Sequence, residues 1–234
     1  MTMRTLMTLL LGAALPLTAQ AATVDLFDWA VNVDGIFAEP PAGDPTPAGV
    51  NTGAFNTSTG MGDLKITVTG AGSHYVGAFF DHEIDELVNT FFNETGANDG
   101  VAAAGQSWEI DEPSFVNGDI FENLQVGALD NGIGTSVYGN TAFPDDVSLA
   151  MAWDFTLAAG ETGIINFLIS NVAPTSGGLV LSQTDPDSQY TLYLASNLHK
   201  QGGGGPAIPE PATVVLYGLG LALAAVAGAR RRAS

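Results

Sequence analysis

The 234-residue chain has no cysteine. That excludes a disulfide framework, thiol catalysis and cysteine-based zinc sites. A chain of this length does not need disulfides, because its core is large enough to hold without them. Basic residues are scarce: six Lys and Arg stand against 25 Asp and Glu, for a formal net charge of −19. Four of the six (Arg4, Arg230, Arg231 and Arg232) lie at the ends. Residues 22–208 therefore carry only Lys65 and Lys200 against 24 acids, a net charge of −22. This argues against nucleic acid as a ligand, since phosphate recognition needs clustered Lys and Arg. It suits divalent cations and an extracellular setting. Histidine is confined to His74, His82 and His199, and no Gly-x-Ser-x-Gly elbow is present, which removes a common hydrolase arrangement. Glycine (29) and proline (12) fall short of the ~25–30% that marks low-complexity chains. The 46% hydrophobic content argues against disorder.

Both ends carry sorting features. Arg4, the apolar run Leu6–Leu15 and Ala19-Gln20-Ala21 form a signal peptide over residues 1–21, with Ala19 and Ala21 at the small-residue positions of the cleavage site. The run is too short for a span, which needs ~17–25 residues. At the other end, Ile208-Pro209-Glu210-Pro211 is stiff and extended, because each proline fixes its own φ and restrains the residue before it. Residues 213–229 are uncharged and just long enough for a transmembrane helix. Arg230, Arg231 and Arg232 follow, a basic cluster that stays cytoplasmic under the positive-inside rule.

The Pro209-Glu210-Pro211 triad, a single span and a terminal Arg cluster together resemble the PEP-CTERM sorting signal of Gram-negative bacteria. The resemblance covers residues 209–234. It implies that an exosortase, a membrane transpeptidase-like protease, reads and removes the tail after signal peptidase has acted. The protein is then released to, or fixed in, the envelope and exopolysaccharide matrix. The body segments VGAFFDHEIDE, SWEIDEP and LAMAWDFTLAAGETG also resemble uncharacterised β-rich bodies of PEP-CTERM proteins. The resemblance implies an address and no activity.

Between the ends the pattern is that of strands. Val24 to Val33 alternates, with Val24 and Leu26 on one side and Phe27, Trp29 and Val31 on the other. Residues 38–62, rich in Gly, Pro, Thr and Asn, read as a long loop. Leu64–Thr69 alternates cleanly, and Val147–Leu157 does so without a miss. Ala158–Glu161 then reads as a hairpin turn that pairs Gly163–Ser170 back on it, and Leu179–Ser182 with Gln189–Ser196 as a second hairpin. Residues 80–92 change period: Phe80, Ile84, Leu87, Val88 and Phe91 predict a short amphipathic helix. Seven to nine short strands and one helix predict a mainly β fold, a single antiparallel β-sandwich of jelly-roll or immunoglobulin-like type over residues 22–200. A Gly-rich linker, 201–208, joins it to the tail.

Candidate chemistry is sparse. Asp81, Glu83 and Asp85 open like a calcium loop, but Glu86 stands where the loop glycine belongs and Phe92 where the bidentate acid belongs, so this is no EF-hand. His82-Glu83 opens like a zinc-protease helix, but Glu86 replaces the second histidine. The two candidates left are a non-EF calcium site pooling these acids with Glu109, Asp111 and Glu112, and a solvated acidic face. Asp185-Pro186-Asp187-Ser188 reads as a turn bonded to its own backbone. Trp29 and Trp153 read as core, and Trp108 as the surface aromatic. The expected function is a non-catalytic envelope or matrix (biofilm) protein with no required cofactor. The alternatives are a carbohydrate- or calcium-binding adhesion module, and then a secreted glycoside hydrolase built on paired carboxylates.

Overall fold

The computed structural model describes residues 22–85, 87, 93–113, 118–134, 146–175 and 178–202. The expected signal peptide, sorting tail and span lie outside these residues. Among the described residues no helix is long and apolar enough to cross a membrane. The strands are β1 (Val24–Val33), β2 (Ile36–Ala38), β3 (Val50–Phe55), β4 (Gly62–Thr69), β5 (Gly72–Ile84), β6 (Thr95–Asp99), β7 (Gln106–Asp111), β8 (Ser148–Leu157), β9 (Glu161–Ser170), β10 (Val180–Asp185) and β11 (Tyr190–Gly202). Among the described residues one α-helix, α1, covers Ile120–Val126, and a 3-10 turn covers Pro40–Ala42.

The strands make two antiparallel sheets. One has five strands in the order β2-β1-β5-β8-β7, the other six in the order β3-β4-β9-β11-β10-β6. Period-two alternation gives each strand one apolar side, and the two apolar sides close on each other. Val76, Ala78 and Phe80 of β5, with Leu149, Met151 and Trp153 of β8, meet Leu64 and Ile66 of β4, Ile165 and Phe167 of β9 and Leu192 and Leu194 of β11. Trp29 and Trp153 are core, as their alternation predicts. Trp108 is half-buried against that same core instead of standing on the surface.

The outer side of the five-stranded sheet is also covered. Ala30, Ala150 and Ala152 form a floor of small side chains beside Phe79, and α1 lies on it through Ile120 and Leu124. Gly77 keeps the floor low: a Cβ there would sit 2.7 Å from Leu124 Cδ1. The Asn32 side-chain amide donates to the carbonyls of Leu124 (2.9 Å) and Gln125 (3.0 Å) in the last turn of α1, where the Gly127 amide also reaches Leu124 (3.1 Å).

Four further expectations need correction. In β1 the side assignment fails because Phe27 is an extra residue, bulged between the pairs Leu26↔His82 and Asp28↔Asp81. The bulge turns Val24, Leu26, Trp29 and Val31 all inward and leaves Phe27 71% exposed. The helix expected over 80–92 is strand through Ile84, because β5 stays paired to β1 as far as Ile84 and to β8 as far as Asp81. Paired to its neighbours, the backbone follows the sheet whatever its local period. The helix lies instead at Ile120–Val126, and of residues 86–92 the structure describes only Leu87. The turn Ala158–Glu161 does not close a hairpin. It carries the chain from β8 in one sheet to β9 in the other, where β9 pairs with β4 and β11. The loop expected over 38–62 contains an edge strand, β3, paired to β4. The β10–β11 hairpin forms as expected, with the Asp185 carboxylate accepting from the amides of Asp187 and Ser188 (both 3.0 Å).

Candidate acidic site on the outer sheet face

Alternation within β5 sends Phe80, His82 and Ile84 inward, so Asp81 and Glu83 share the outer face with Phe79. Neighbouring strands extend this acidic row. Asp28 of β1 and Ser148 of β8 flank Asp81, and Asp111 of β7 lies beyond Ser148. Asp81 is 3% exposed, and its Oδ1 has no hydrogen-bond partner. Burial pushes its carboxyl well above the usual carboxylate range, and the charges of Asp146, Glu83, Asp28 and Glu94 push it further. Burial raises Asp146 as well. Asp28 rises to about 6, first by burial and then by the charge of Glu39.

Asp85 leaves this group. It ends the strand with φ 52°, and its Oδ1 accepts from the backbone amide (2.7 Å) and the hydroxyl (3.1 Å) of Thr23. The spacing 81-83-85 therefore does not make one site.

A second acidic group lies under α1. One oxygen each from Glu109, Asp111 and Asp119 lie within 4.8 Å of one another. Glu109 and Asp111 share the outer face of β7, and Asp119 precedes α1. Every oxygen of the two buried acids already accepts at least one hydrogen bond. Glu109 accepts from the Asn123 side-chain amide at Oε1 (3.0 Å) and Oε2 (3.2 Å), and from the Asp130 amide at Oε2 (3.1 Å). Asp111 accepts from the amides of Glu112 (2.8 Å) and Asp119 (3.1 Å). These bonds tie α1 and the 128–134 segment to β7, an anchoring role that needs no ion. Burial lifts Glu109 to about 8 and also raises Asp111. Gly134 packs onto this anchor, and a Cβ there would fall 1.9 Å from Asp111 Oδ1.

On the inner face, His82 is 1% exposed, stacks on Phe80, and makes no side-chain hydrogen bond. Burial holds its pKa down at about 4, so the ring is neutral at pH 7. Its Nε2 rests against Gly60, which has φ 65°. A Cβ on Gly60 would lie 2.1 Å from Nε2 and 2.9 Å from Leu26 Cδ1. Gly60→Ala is expected to cost about 2–4 kcal/mol through left-handed strain and overpacking. Thermal melts check this, and a melting temperature unchanged within about 2 °C would contradict it. Nearby, the Gln183 amide from the six-stranded sheet donates to the His82 carbonyl (2.7 Å) and to Glu94 Oε2 (2.6 Å).

Sequence reasoning placed Asp81 and Glu83 together. It missed Asp28 and Asp146, which reach them only through strand pairing, and Asp119 with Asn123, which reach Glu109 only through the packing of α1. The residues expected to act in sorting, Pro209, Glu210, Pro211, Arg230, Arg231 and Arg232, and in signal cleavage, Ala19 and Ala21, lie outside the described residues. The chain matches no protein-family model, no curated protein and no solved structure.

Proposed function

We propose that the chain is a non-catalytic, exported protein of the Gram-negative envelope or extracellular matrix, whose β-sandwich is delivered and released through the Pro209-Glu210-Pro211 tail. The observation that carries this reading is the strict order of triad, uncharged stretch and Arg cluster at the C-terminus. Six residues separate Gly202, the end of β11, from Pro209. Fully extended, they reach about 20 Å, which would hold the sandwich near the membrane until the tail is cut.

The placement of reactive side chains favours a non-catalytic role. The His74 imidazole bonds the Asp34 carboxylate (2.8 Å) and the Gly70 carbonyl (3.1 Å), and His82 is sealed in the core. Glu109 and Asp111 are covered by α1 and its flanking loop, whereas a glycosidase pair must face a sugar in an open cleft.

Exchanging both Pro209 and Pro211 for Ala tests the address. Unprocessed full-length protein is expected to accumulate in the inner-membrane fraction, with the released form strongly depleted. Normal processing and release of the double variant would overturn the reading.

A further inference from the structure

We propose that Phe27 is the stacking platform of a binding cleft for a neutral glycan chain. The cleft has a volume of about 390 Å³ and is lined by Leu26, Phe27, Trp29, Pro40, Pro41 and Thr57. Its size, and a mostly apolar lining with a single hydroxyl, are those of a small-ligand site. The inference deepens the matrix reading above and rests on it for the source of the glycan.

It starts from a side chain out of place. Phe27 is 71% exposed, and among the described residues every other Phe, Tyr and Trp is buried or half-buried. Phe27 stands out because it is the bulged residue between the pairs Leu26↔His82 and Asp28↔Asp81. Bulges re-aim side chains and are common beside binding sites. The strand on either side stays paired to β5, so the residue is held before any ligand arrives, which lowers the ordering cost of binding. Trp29, the other ring of the cleft, is fixed edge-on against Phe55 with centroids 5.5 Å apart.

The place in the fold argues against a peptide strand. β2 pairs with β1 only from Val31 to Val33, so the first half of β1 is not covered by it. There the bulge breaks the spacing an added strand would need, and the Leu26 amide already donates to the Ser58 carbonyl (2.8 Å). What the cleft offers is a ring face. An aromatic face is electron-rich and attracts the positively polarised C–H bonds on one side of a sugar ring, while the sugar hydroxyls turn to water and to Thr57.

Charge selects among glycans. No lining residue is charged, and β1, the Pro40–Ala42 turn and residues 56–60 contain no Lys or Arg. The chain neighbours Asp28, after Phe27, and Glu39, before Pro40, are acids that interact with each other. Sulfated or uronic-acid chains would be repelled, as would a second copy of so acidic a body. A neutral glycan meets neither penalty.

The full chain, purified in mild non-ionic detergent, is run in native gels cast with a neutral β-glucan, a galactomannan or, as the anionic control, alginate. Retardation by at least one neutral glycan, and none by alginate, is expected. Phe27→Ala is expected to weaken this affinity about tenfold, and Phe27→Trp to keep it within about threefold. Leu168→Ala, which removes an exposed apolar side chain from the other sheet, should leave it unchanged. Because Phe27 lies mostly outside the core, Phe27→Ala should melt within about 2 °C of the parent, so lost binding is not lost folding. A proline-rich decapeptide, titrated against tryptophan fluorescence, tests the competing occupant and is expected not to bind. The proposal is overturned if no neutral glycan retards the chain, if alginate retards it equally, if Phe27→Ala binds like the parent, or if the peptide binds through Phe27 and the glycans do not. Processing of the Pro209 and Pro211 variant is read separately, so the glycan cleft and the sorting address fail independently.

Discussion

Gln183→Ala is expected to lower the melting temperature by about 6–12 °C, from a loss of about 3 kcal/mol. Gln183 is fully buried on β10 and reaches across the core. Its amide is the donor to the His82 carbonyl (2.7 Å) and to Glu94 Oε2 (2.6 Å), so one side chain clasps the two sheets together. Truncation strips a donor from two buried acceptors at once, and each stranded acceptor costs about 1–3 kcal/mol. Glu94 would keep only the Val147 amide (3.2 Å). Removing both ends of the clasp should cost less than the sum of the single changes, so Gln183→Ala with Glu94→Leu is expected to recover part of the loss. Equilibrium denaturation of the three variants measures the coupling. A single-variant shift within about 2 °C would show that the clasp contributes nothing net.

In EDTA, the protein is expected to lose stability steadily as pH rises from 6.5 to 8.5. Burial raises Glu94 and Glu109 from 4.5 to about 8 in the fold, so over this range the native state holds protons that the unfolded chain has released. Their contribution is fully present below the unfolded value and is lost as pH climbs through about 8. His82 has the opposite sign. Held at about 4 in the fold against 6.5 when unfolded, it contributes stability above pH 6.5 that is lost as pH falls towards 4. Above pH 6.5 His82 no longer opposes the acids, whose slope is up to about 1.4 kcal/mol per pH unit for each proton, and His74, raised by its bond to Asp34, acts weakly with the same sign. Urea denaturation at pH 6.5, 7.5 and 8.5 checks this, with Glu94→Gln and Glu109→Gln each expected to flatten the fall. A profile that is level or rising across the range would show that these carboxyls are already ionised in the native state.

The parts of this fold legible from sequence are those that depend on near neighbours. Leu64–Thr69 and Val147–Leu157 read as strands because period two is a property of a few consecutive residues. The Asp185 turn was legible because the carboxylate bonds amides two and three residues on. Composition spoke for the chain as a whole: without cysteine and with two lysines in its body, it had to build a core from apolar alternation and leave most of its acids without a lysine or arginine partner.

Where strands pair, that reading failed, and for one physical reason. Phe80, Ile84 and Leu87 satisfy a helical period, yet nothing local reports that β1 pairs with this segment as far as Ile84 and β8 as far as Asp81. One bulged residue, Phe27, reverses the sides of half a strand, and its cause lies in a partner more than fifty residues away. The turn at Ala158–Glu161 has the same chemistry whether it closes a hairpin or crosses between sheets, so only the partners of β9 decide.

The acidic site divides along the same line. The sequence alone determined the motif order at both ends on which the proposed address rests, the strong negative charge and the shared face of Asp81 and Glu83, since these follow from residue type and spacing. The tertiary structure decided that Asp85 turns away to Thr23, that Asp28 and Asp146 take its place, and that Asp81 is buried with an oxygen unmet. Burial and charge proximity arise from segments that meet only after the chain has folded, and no local pattern encodes which segments those are.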